Sequence, residues 1–170
     1  MTENVHDPGA DAAAGTFDGS ENRATIEESV ERLRKAGMVP AVEFRSASWF
    51  NDKNIERTVQ FLGDRQIPLV MVDGPQGFKS SVPPIVAATS PELALVRFHG
   101  RRTETWEKQG IKTVERFRYL YDQGELEEWV PRVREAAGQA EQTHVLFNNC
   151  YANYGATNAL MLAKLLQDLR

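Results

Sequence analysis

The stretch LALVRFH, residues 93–99, decides the fold class, because it is apolar where it begins and cationic where it ends. Its first four residues carry no charge, as expected of a strand that is buried on both faces. Side chains alternate along a strand, so Arg97 and His99 share one side, and Arg101 continues the alternation. A core excludes such groups unless they are paired. The pattern therefore predicts a strand that leaves the core and opens into a polar site.

Three other stretches have a similar strand signature, and helical patterns separate them. Strands are predicted at VPAVEFR (39–45), IPLVMVD (67–73) and THVLFNN (143–149). Apolar residues at helical spacing predict helices at about 25–37, 52–62, 124–141 and 156–169. The connection at 74–92 is an exception, because its Pro and Ser content predicts a loop. Alternating strands and helices predict an α/β domain of about four parallel strands with flanking helices.

Local signals predict where the domain and its helices begin and end. Thr25 and Glu28 have the spacing of a capping box, so the first helix is expected to begin at Thr25. Gly37 is expected to end that helix. Pro131 is expected to bend the helix at 124–141 without breaking it. Residues 1–24 are acidic and rich in small residues, which predicts a disordered leader.

The charge of the chain is concentrated in that leader. The 170 residues carry a net charge of −4, and residues 1–24 contain five acidic residues and one arginine, so the remainder is neutral. A neutral domain has no global basic field for nucleic acid, although a local basic patch keeps nucleic acid as an alternative ligand. The single cysteine, Cys150, excludes an intrachain disulfide and favours a reducing compartment, so the cytoplasm is expected. The sequence has no run of about 18 apolar residues, so no membrane span is predicted.

All four predicted strands end in polar residues, and ligands of parallel α/β folds bind at the carboxyl ends of strands. We expect His99 to act as acid or base, with Glu43 or Asp73 as its partner. Arginines suit a phosphate or carboxylate because they make bidentate contacts. The arginines expected to hold such an anion are Arg45, Arg97 and Arg101.

Two alternatives compete with a ligand site. Glu43 and Arg45 could pair with Arg97 and Asp73 in a buried ionic network that holds the fold without catalysing anything. Glu43, Asp73 and His99 could also converge on a metal ion, but the nearby arginines argue against a cation, and no metal is predicted. No phosphate-cradling glycine-rich loop or Cys-x-x-Cys motif identifies a cofactor.

The segments around the predicted site add further candidates. Residues 100–123 are long for a βα loop and carry aromatic and basic residues, so Tyr121 is assigned either to a ligand-binding lid or to packing under the next helix. Trp49 is assigned to a pocket wall or to the core. Asn148 and Asn149 either contact a ligand or hold loop backbone. Cys150 is expected to be a buried spectator.

Five motifs in this order resemble the YecE-like family, also called domain of unknown function 72. They are AVEFRSASWF (41–50), LVMVDGP (69–75), LVRFHGRR (95–102), RYLYDQGELEEW (118–129) and VLFNNCYANYGATNALML (145–162). The resemblance covers about residues 25–170 and implies a TIM-barrel-like fold, but no activity. The chain departs from the family pattern at Ser46, where members usually have His. Members are also longer, so the resemblance implies a partial barrel, their carboxyl-terminal half.

A partial barrel would leave strand edges and apolar surface uncovered. This predicts a homodimer or a complementing chain that completes the barrel. Three functions remain open. The domain could be an enzyme of the hydrolase or phosphodiesterase type acting on an anionic, phosphate- or sugar-bearing ligand. It could be a non-catalytic module that binds a ligand or nucleic acid, or a truncated and inactive domain.

Overall fold

The computed structural model describes residues 20–168, in which the strands form one parallel sheet. The strands are β1 (Val70–Asp73), β2 (Leu93–Phe98) and β3 (Gln142–Phe147), in the order β1-β2-β3. The central strand β2 places Arg97 opposite Val72 on one side and opposite Leu146 on the other. Neighbours in the sheet are also neighbours in the sequence. This confirms the predicted parallel α/β architecture for three of the four strands.

The fourth predicted strand, residues 39–45, is reduced to a single parallel bridge between Val42 and Leu69. The Val42 N–H donates to Pro68 O, and the Val70 N–H donates to Val42 O, both at 2.9 Å. Pro40 and Pro68 have no N–H to donate, which limits how far a ladder can extend along this edge. The segment still runs beside β1 and places its side chains at the same end of the sheet.

Helices pack on the sheet and also form the first and last elements of the described region. They are α1 (Ser20–Lys35), α2 (Ile55–Asp64), α3 (Thr113–Arg116), α4 (Gln123–Glu127), α5 (Val130–Ala137) and α6 (Tyr154–Asp168), with 3₁₀ turns at Ala47–Phe50 and Thr103–Thr105. Among the described helices, none has both the length and the apolar character that a membrane span requires.

The first helix begins earlier than its sequence signal indicates. It starts at Ser20, so the predicted capping box is wrong, and the Thr25 hydroxyl instead donates to Glu21 O inside the helix. The end is confirmed: Gly37 has φ +76°, and Met38 N–H donates back to Leu33 O. Residues 1–19 of the predicted leader lie outside the described residues, while residues 20–24 are helical.

The helix predicted at 124–141 is two helices, α4 and α5. Asp122 caps α4 in a capping box with Glu125. Pro131 lies in the first turn of α5, where its missing N–H costs little. The predicted bend is therefore a break, because proline is well tolerated where a helix begins and poorly tolerated inside one.

The two faces of the sheet have different roles. On one face, Val96 and Phe98 of β2 pack with Trp129 and with residues of α4, α5 and α6 in a buried apolar cluster. Phe98 lies parallel to Phe147 with ring centroids 4.6 Å apart. On the other face Leu95 is buried with Val70 and Val72 of β1. Strand alternation carries that second face on to Arg97 and His99, so the polar cluster continues directly from an apolar surface.

Candidate functional site

Five of the predicted site residues come together at the carboxyl ends of the strands. Glu43 and Arg45 extend from the segment beside β1, Arg97 and His99 from the end of β2, and Asn148 from the end of β3. Their contacts join all five side chains. We call this set the Glu43–His99 cluster: Glu43, Arg45, Arg97, His99 and Asn148.

Glu43 is the hub of the cluster. Its Oε1 accepts from Arg45 Nη1 at 2.7 Å and lies 3.1 Å from His99 Nε2. Its Oε2 accepts from Arg97 Nη1. Burial alone would raise the pKa of Glu43, but the His99 hydrogen bond and the charges of His99, Arg97 and Arg45 lower it to about 2. Glu43 is therefore an ionised carboxylate at any physiological pH.

Two neighbours act on the tautomer of His99. Nε2 lies 3.1 Å from Glu43 Oε1, which accepts a hydrogen, and 3.2 Å from Arg45 Nη1, which donates one. We assign the hydrogen to Nε2, because the Glu43 carboxylate is ionised and Arg45 Nη1 already donates to it. Nδ1 is then the nitrogen with a free lone pair, and Asn148 Nδ2 lies 3.4 Å from it. This separation is long for a hydrogen bond, so Asn148 holds Nδ1 only weakly. His99 presents an unprotonated nitrogen at Nδ1 and a carboxylate behind it at Nε2.

Aromatic rings cover His99. Its ring centroid lies 5.7 Å from that of Phe117 and 6.0 Å from that of Trp106. Burial lowers the pKa of His99 below its ordinary value of 6.5, and it outweighs the opposing effect of Glu43. His99 is neutral near pH 7 and able to accept a proton.

The two arginines of the cluster keep unused donors. The Arg45 side chain is 45% exposed, and its guanidinium carbon lies 5.6 Å from the Trp106 ring centroid. The Arg97 side chain is 15% exposed, and its Nε is buried with no hydrogen-bond partner. One carboxylate faces two guanidiniums and a neutral imidazole. The cluster therefore has a net charge of about +1 and a buried donor without an acceptor.

Asp73 belongs to a different cluster, on the helical face of the sheet. Its Oδ1 accepts from the Tyr121 hydroxyl at 2.6 Å, and its Oδ2 accepts from Trp129 Nε1 at 2.7 Å. Arg101 adds Nε at 3.0 Å to Oδ1 and Nη2 at 2.8 Å to Oδ2. We call Asp73, Arg101, Tyr121, Trp129 and Glu128 the Asp73–Arg101 cluster. Since every Asp73 lone pair is directed at a donor, Asp73 does not contact His99 through its side chain.

The charge of Arg101 is paired with carboxylates inside the Asp73–Arg101 cluster. Hydrogen bonds to Asp73 raise the pKa of Arg101 above its ordinary value, and Glu128 adds a further ion pair at 2.9 Å. Burial and the Asp73 charge raise the pKa of Tyr121. The predicted role of Arg101 in the same clamp as Arg97 does not match its position. Gly100 has φ +85°, so the strand alternation stops there and Arg101 lies with the helices instead.

Asn149 is placed away from His99, unlike its neighbour Asn148. It is completely buried, and its Nδ2 donates to Tyr119 O at 2.9 Å and to Asn158 Oδ1 at 2.7 Å. Asn158 Nδ2 in turn donates to Tyr121 O at 2.8 Å. Of the two predicted roles for Asn149, this geometry matches holding loop backbone.

Two further candidates also lie outside the cluster. Trp49 is buried in the core, with its ring centroid 4.5 Å from that of Phe44, so it packs in the interior. Cys150 is exposed, which corrects the expectation that it is buried. Within residues 20–168, no three His, Cys, Asp or Glu side chains converge as a metal site would require.

The structure also identifies partners that the sequence did not single out. Phe117 covers His99, Trp129 binds Asp73 and Asn158 binds Asn149. Trp129 follows the apolar positions of a helical pattern, which was a usable signal for burial. Phe117 lies in an irregular loop and Asn158 in an ordinary amphipathic helix, and neither position carries a pattern in the sequence that points to its contact.

Comparisons with known proteins identify a family. The family described as "Protein of unknown function DUF72" matches residues 15–170. The UPF0759 protein YunF of Bacillus subtilis is 37% identical over 147 residues, covering 82% of this chain and 52% of that protein. The chain therefore spans about half the length of this relative.

Solved structures agree with this assignment. A DUF72 family protein of Enterococcus faecalis is 30% identical with a TM-score of 0.79, over 90% of this chain and 55% of that chain. A DUF72 family protein of Thermotoga maritima is 28% identical with a TM-score of 0.66, over 89% of this chain and 66% of that chain. The fold of the chain is similar to these solved structures, and the chain is a member of the DUF72 family.

Proposed function

We propose that the Glu43–His99 cluster binds the anionic group of a small phosphate- or sugar-bearing ligand. The observation that carries this proposal is the buried Arg97 Nε, which has no acceptor within the described residues. A buried donor without a partner costs roughly 1–3 kcal/mol, and an oxyanion would remove that cost. Arg45 offers a second guanidinium that is nearly half exposed. The surplus positive charge favours an anion over a cation.

We further propose that His99 transfers a proton during the reaction. Its Nδ1 has a free lone pair, and Glu43 at Nε2 would stabilise the imidazolium that forms. Hydrolysis of a phosphodiester fits this arrangement. Nδ1 would take a proton from water as the new P–O bond forms and the bond to the leaving oxygen breaks, and the imidazolium would return the proton to the leaving oxygen.

Access to His99 limits this chemistry. The His99 side chain is almost completely buried under Trp106 and Phe117, which belong to the segment between β2 and α4. Trp106 Nε1 donates to Ser80 Oγ at 2.8 Å, which ties this segment to the loop after β1. A ligand that reaches Nδ1 would have to displace these rings. The alternative is a non-catalytic module, in which the ligand contacts only Arg45 and the outer edge of the cluster.

A second proposal concerns the architecture around the cluster. We propose that the sheet is part of a TIM-barrel-like arrangement, completed by a second copy or by a complementing chain. Its support is the sequential order of parallel strands, together with Leu146 on β3, a residue that is 40% exposed and lies on the face that carries Arg97. If the partner is required, the isolated chain would be inactive. Light scattering tests this: a discrete folded dimer supports self-completion, and a folded monomer contradicts it.

The binding proposal is tested by calorimetric titration with inorganic phosphate. Arg45→Gln should weaken binding about 10- to 100-fold, because a charge-assisted hydrogen bond contributes roughly 1.5–3 kcal/mol. Arg118→Gln is the matched control, since it removes the same charge from an exposed arginine that lies over Tyr151 and outside the cluster. Equal weakening in both variants would show only a general charge effect and contradict the proposal.

Catalysis is tested separately with a phosphodiester probe, bis(4-nitrophenyl) phosphate. His99→Gln should abolish turnover and leave phosphate binding through Arg45 measurable. Turnover that survives in His99→Gln would contradict the role of His99. Binding without any turnover in the wild type would favour the non-catalytic module.

A further inference from the structure

We propose that the groove between α1 and α2 is a second anion site, which takes the phosphate group of a small molecule. The groove has a volume of about 500 Å³ and shares no residue with the Glu43–His99 cluster. Its lining comes from α1, from α2 and from the residue that ends α2: Arg23, Ala24, Glu27, Arg57, Gln60, Phe61, Asp64 and Arg65.

The charges in the groove are unequally neutralised. Arg65 Nε donates to Glu27, and its Nη1 donates to Phe61 O at 3.3 Å, so Arg65 is committed to its own walls. Within residues 20–168, neither Arg23 nor Arg57 forms an ion pair, and Asp64 is the one other carboxylate that lines the groove. The groove therefore carries a net charge of about +1, held on two arginines with free donors.

Arg23 gives the most specific indication of a missing acceptor. Its Nε is buried and has no hydrogen-bond partner among the described residues. Its guanidinium carbon lies 5.6 Å from the Phe61 ring centroid, and that of Arg65 lies 4.4 Å from the same centroid. Stacking on a buried ring restricts the rotamers of Arg23, so its donors are oriented before a ligand arrives.

Phosphate fits these donors better than other anions do. Two guanidiniums reach the groove from two different helices, and a phosphate group offers three acceptor oxygens in different directions. A carboxylate has two oxygens in one plane and suits a single arginine. The Arg65–Glu27 pair connects α1 to the residue that ends α2 beside the groove.

The test is a titration of the full chain with inorganic phosphate, followed through the side-chain Nε–H signals of its arginines by ¹⁵N NMR. We expect a saturable shift of the Arg23 signal, because its Nε–H gains an acceptor. Arg57→Gln should weaken the affinity about tenfold through the loss of one charge-assisted contact. Arg57 is exposed, so this variant should fold normally.

Two controls separate this site from other effects. Arg32→Gln removes the same charge from an exposed position on α1 outside the groove and should leave the Arg23 shift unchanged. Arg97→Gln disables the Glu43–His99 cluster and should also leave the Arg23 shift unchanged. A wild-type Arg23 signal that does not respond to phosphate, or a response equally weakened by Arg57→Gln and Arg32→Gln, would overturn the proposal.

Discussion

The Glu43–His99 cluster and the Asp73–Arg101 cluster both lie at the carboxyl ends of the strands, on opposite faces of the same sheet. They use similar residue types, but they differ in how completely their hydrogen bonds are satisfied. Asp73 accepts from a tyrosine, a tryptophan and an arginine, and every one of these donors is directed at it. In the other cluster Arg97 keeps a buried donor without an acceptor, and Arg45 is nearly half exposed.

This difference separates stability from function. A saturated buried network holds its elements in place and has nothing left for a ligand. An unsatisfied network costs free energy in the empty protein and recovers it when a ligand binds. The same carboxylate-and-arginine chemistry therefore supports the fold at Asp73, and at Glu43 it leaves donors that the proposed ligand would contact.

The largest effect on stability is expected for Asp73→Asn. The amide would face its own hydrogens toward the Trp129 and Arg101 donors and leave Arg101 without its charged partner. We expect the free energy of unfolding to fall by about 3–5 kcal/mol, as for other buried pairs that lose one member. Urea denaturation measures this.

Glu128→Gln is the matched control for that experiment. Glu128 binds the same Arg101, but its side chain is 52% exposed, so its loss should cost at most about 1 kcal/mol. Equal costs for the two variants would mean that the network around Asp73 is not what stabilises this region.

The pH dependence of stability tests the Glu43–His99 cluster. The pKa of Glu43 is lowered from 4.5 to about 2 in the folded state, so its charge stabilises the fold above pH 4.5. That contribution, roughly 3 kcal/mol, is lost as the pH falls from 4.5 toward 2. We expect Glu43→Gln to be less stable than the wild type at neutral pH and nearly equal to it near pH 2. A difference between the two that is independent of pH would contradict the lowered pKa.

Gly100 lies between His99 of one cluster and Arg101 of the other, and a substitution there tests the turn between these two residues. It has φ +85°, and a Cβ at this position would lie 2.6 Å from Tyr119 Cβ. Gly37 has a similar φ of +76° but nothing within 4 Å of the added atom. Gly100→Ala should therefore destabilise by about 1–3 kcal/mol more than Gly37→Ala, the extra cost being the overpacking. Thermal denaturation of the two variants compares them, and equal losses would show that the contact with Tyr119 relaxes freely.

The sequence predicts the sheet and much of the Glu43–His99 cluster, because both follow from short-range patterns. Apolar runs identify β1, β2 and β3, and strand alternation puts Arg97 and His99 together. It does not separate Asp73 from His99, since that depends on the register of β1 against β2, which pairs Asp73 with Phe98 on the helical face. It leaves Trp49 open between a pocket wall and the core, because a position past a strand end is compatible with either.

Helix boundaries and long-range contacts are where local signals are insufficient. Thr25 has a capping-box spacing, yet α1 continues back to Ser20, because a cap signal does not prevent residues before it from being helical. The contacts of Asn158 with Asn149 and Tyr121 join three segments that no local pattern relates.

The most direct test of the central claim is an NMR titration of the His99 imidazole against pH, with and without inorganic phosphate. Without phosphate, we predict a hydrogen on Nε2 and a His99 pKa below 6.5, because burial opposes the charged form. Phosphate bound at Arg97 and Arg45 should raise that pKa in a saturable way, because it places negative charge beside the ring. A His99 pKa that phosphate does not change would contradict an anion site in this cluster.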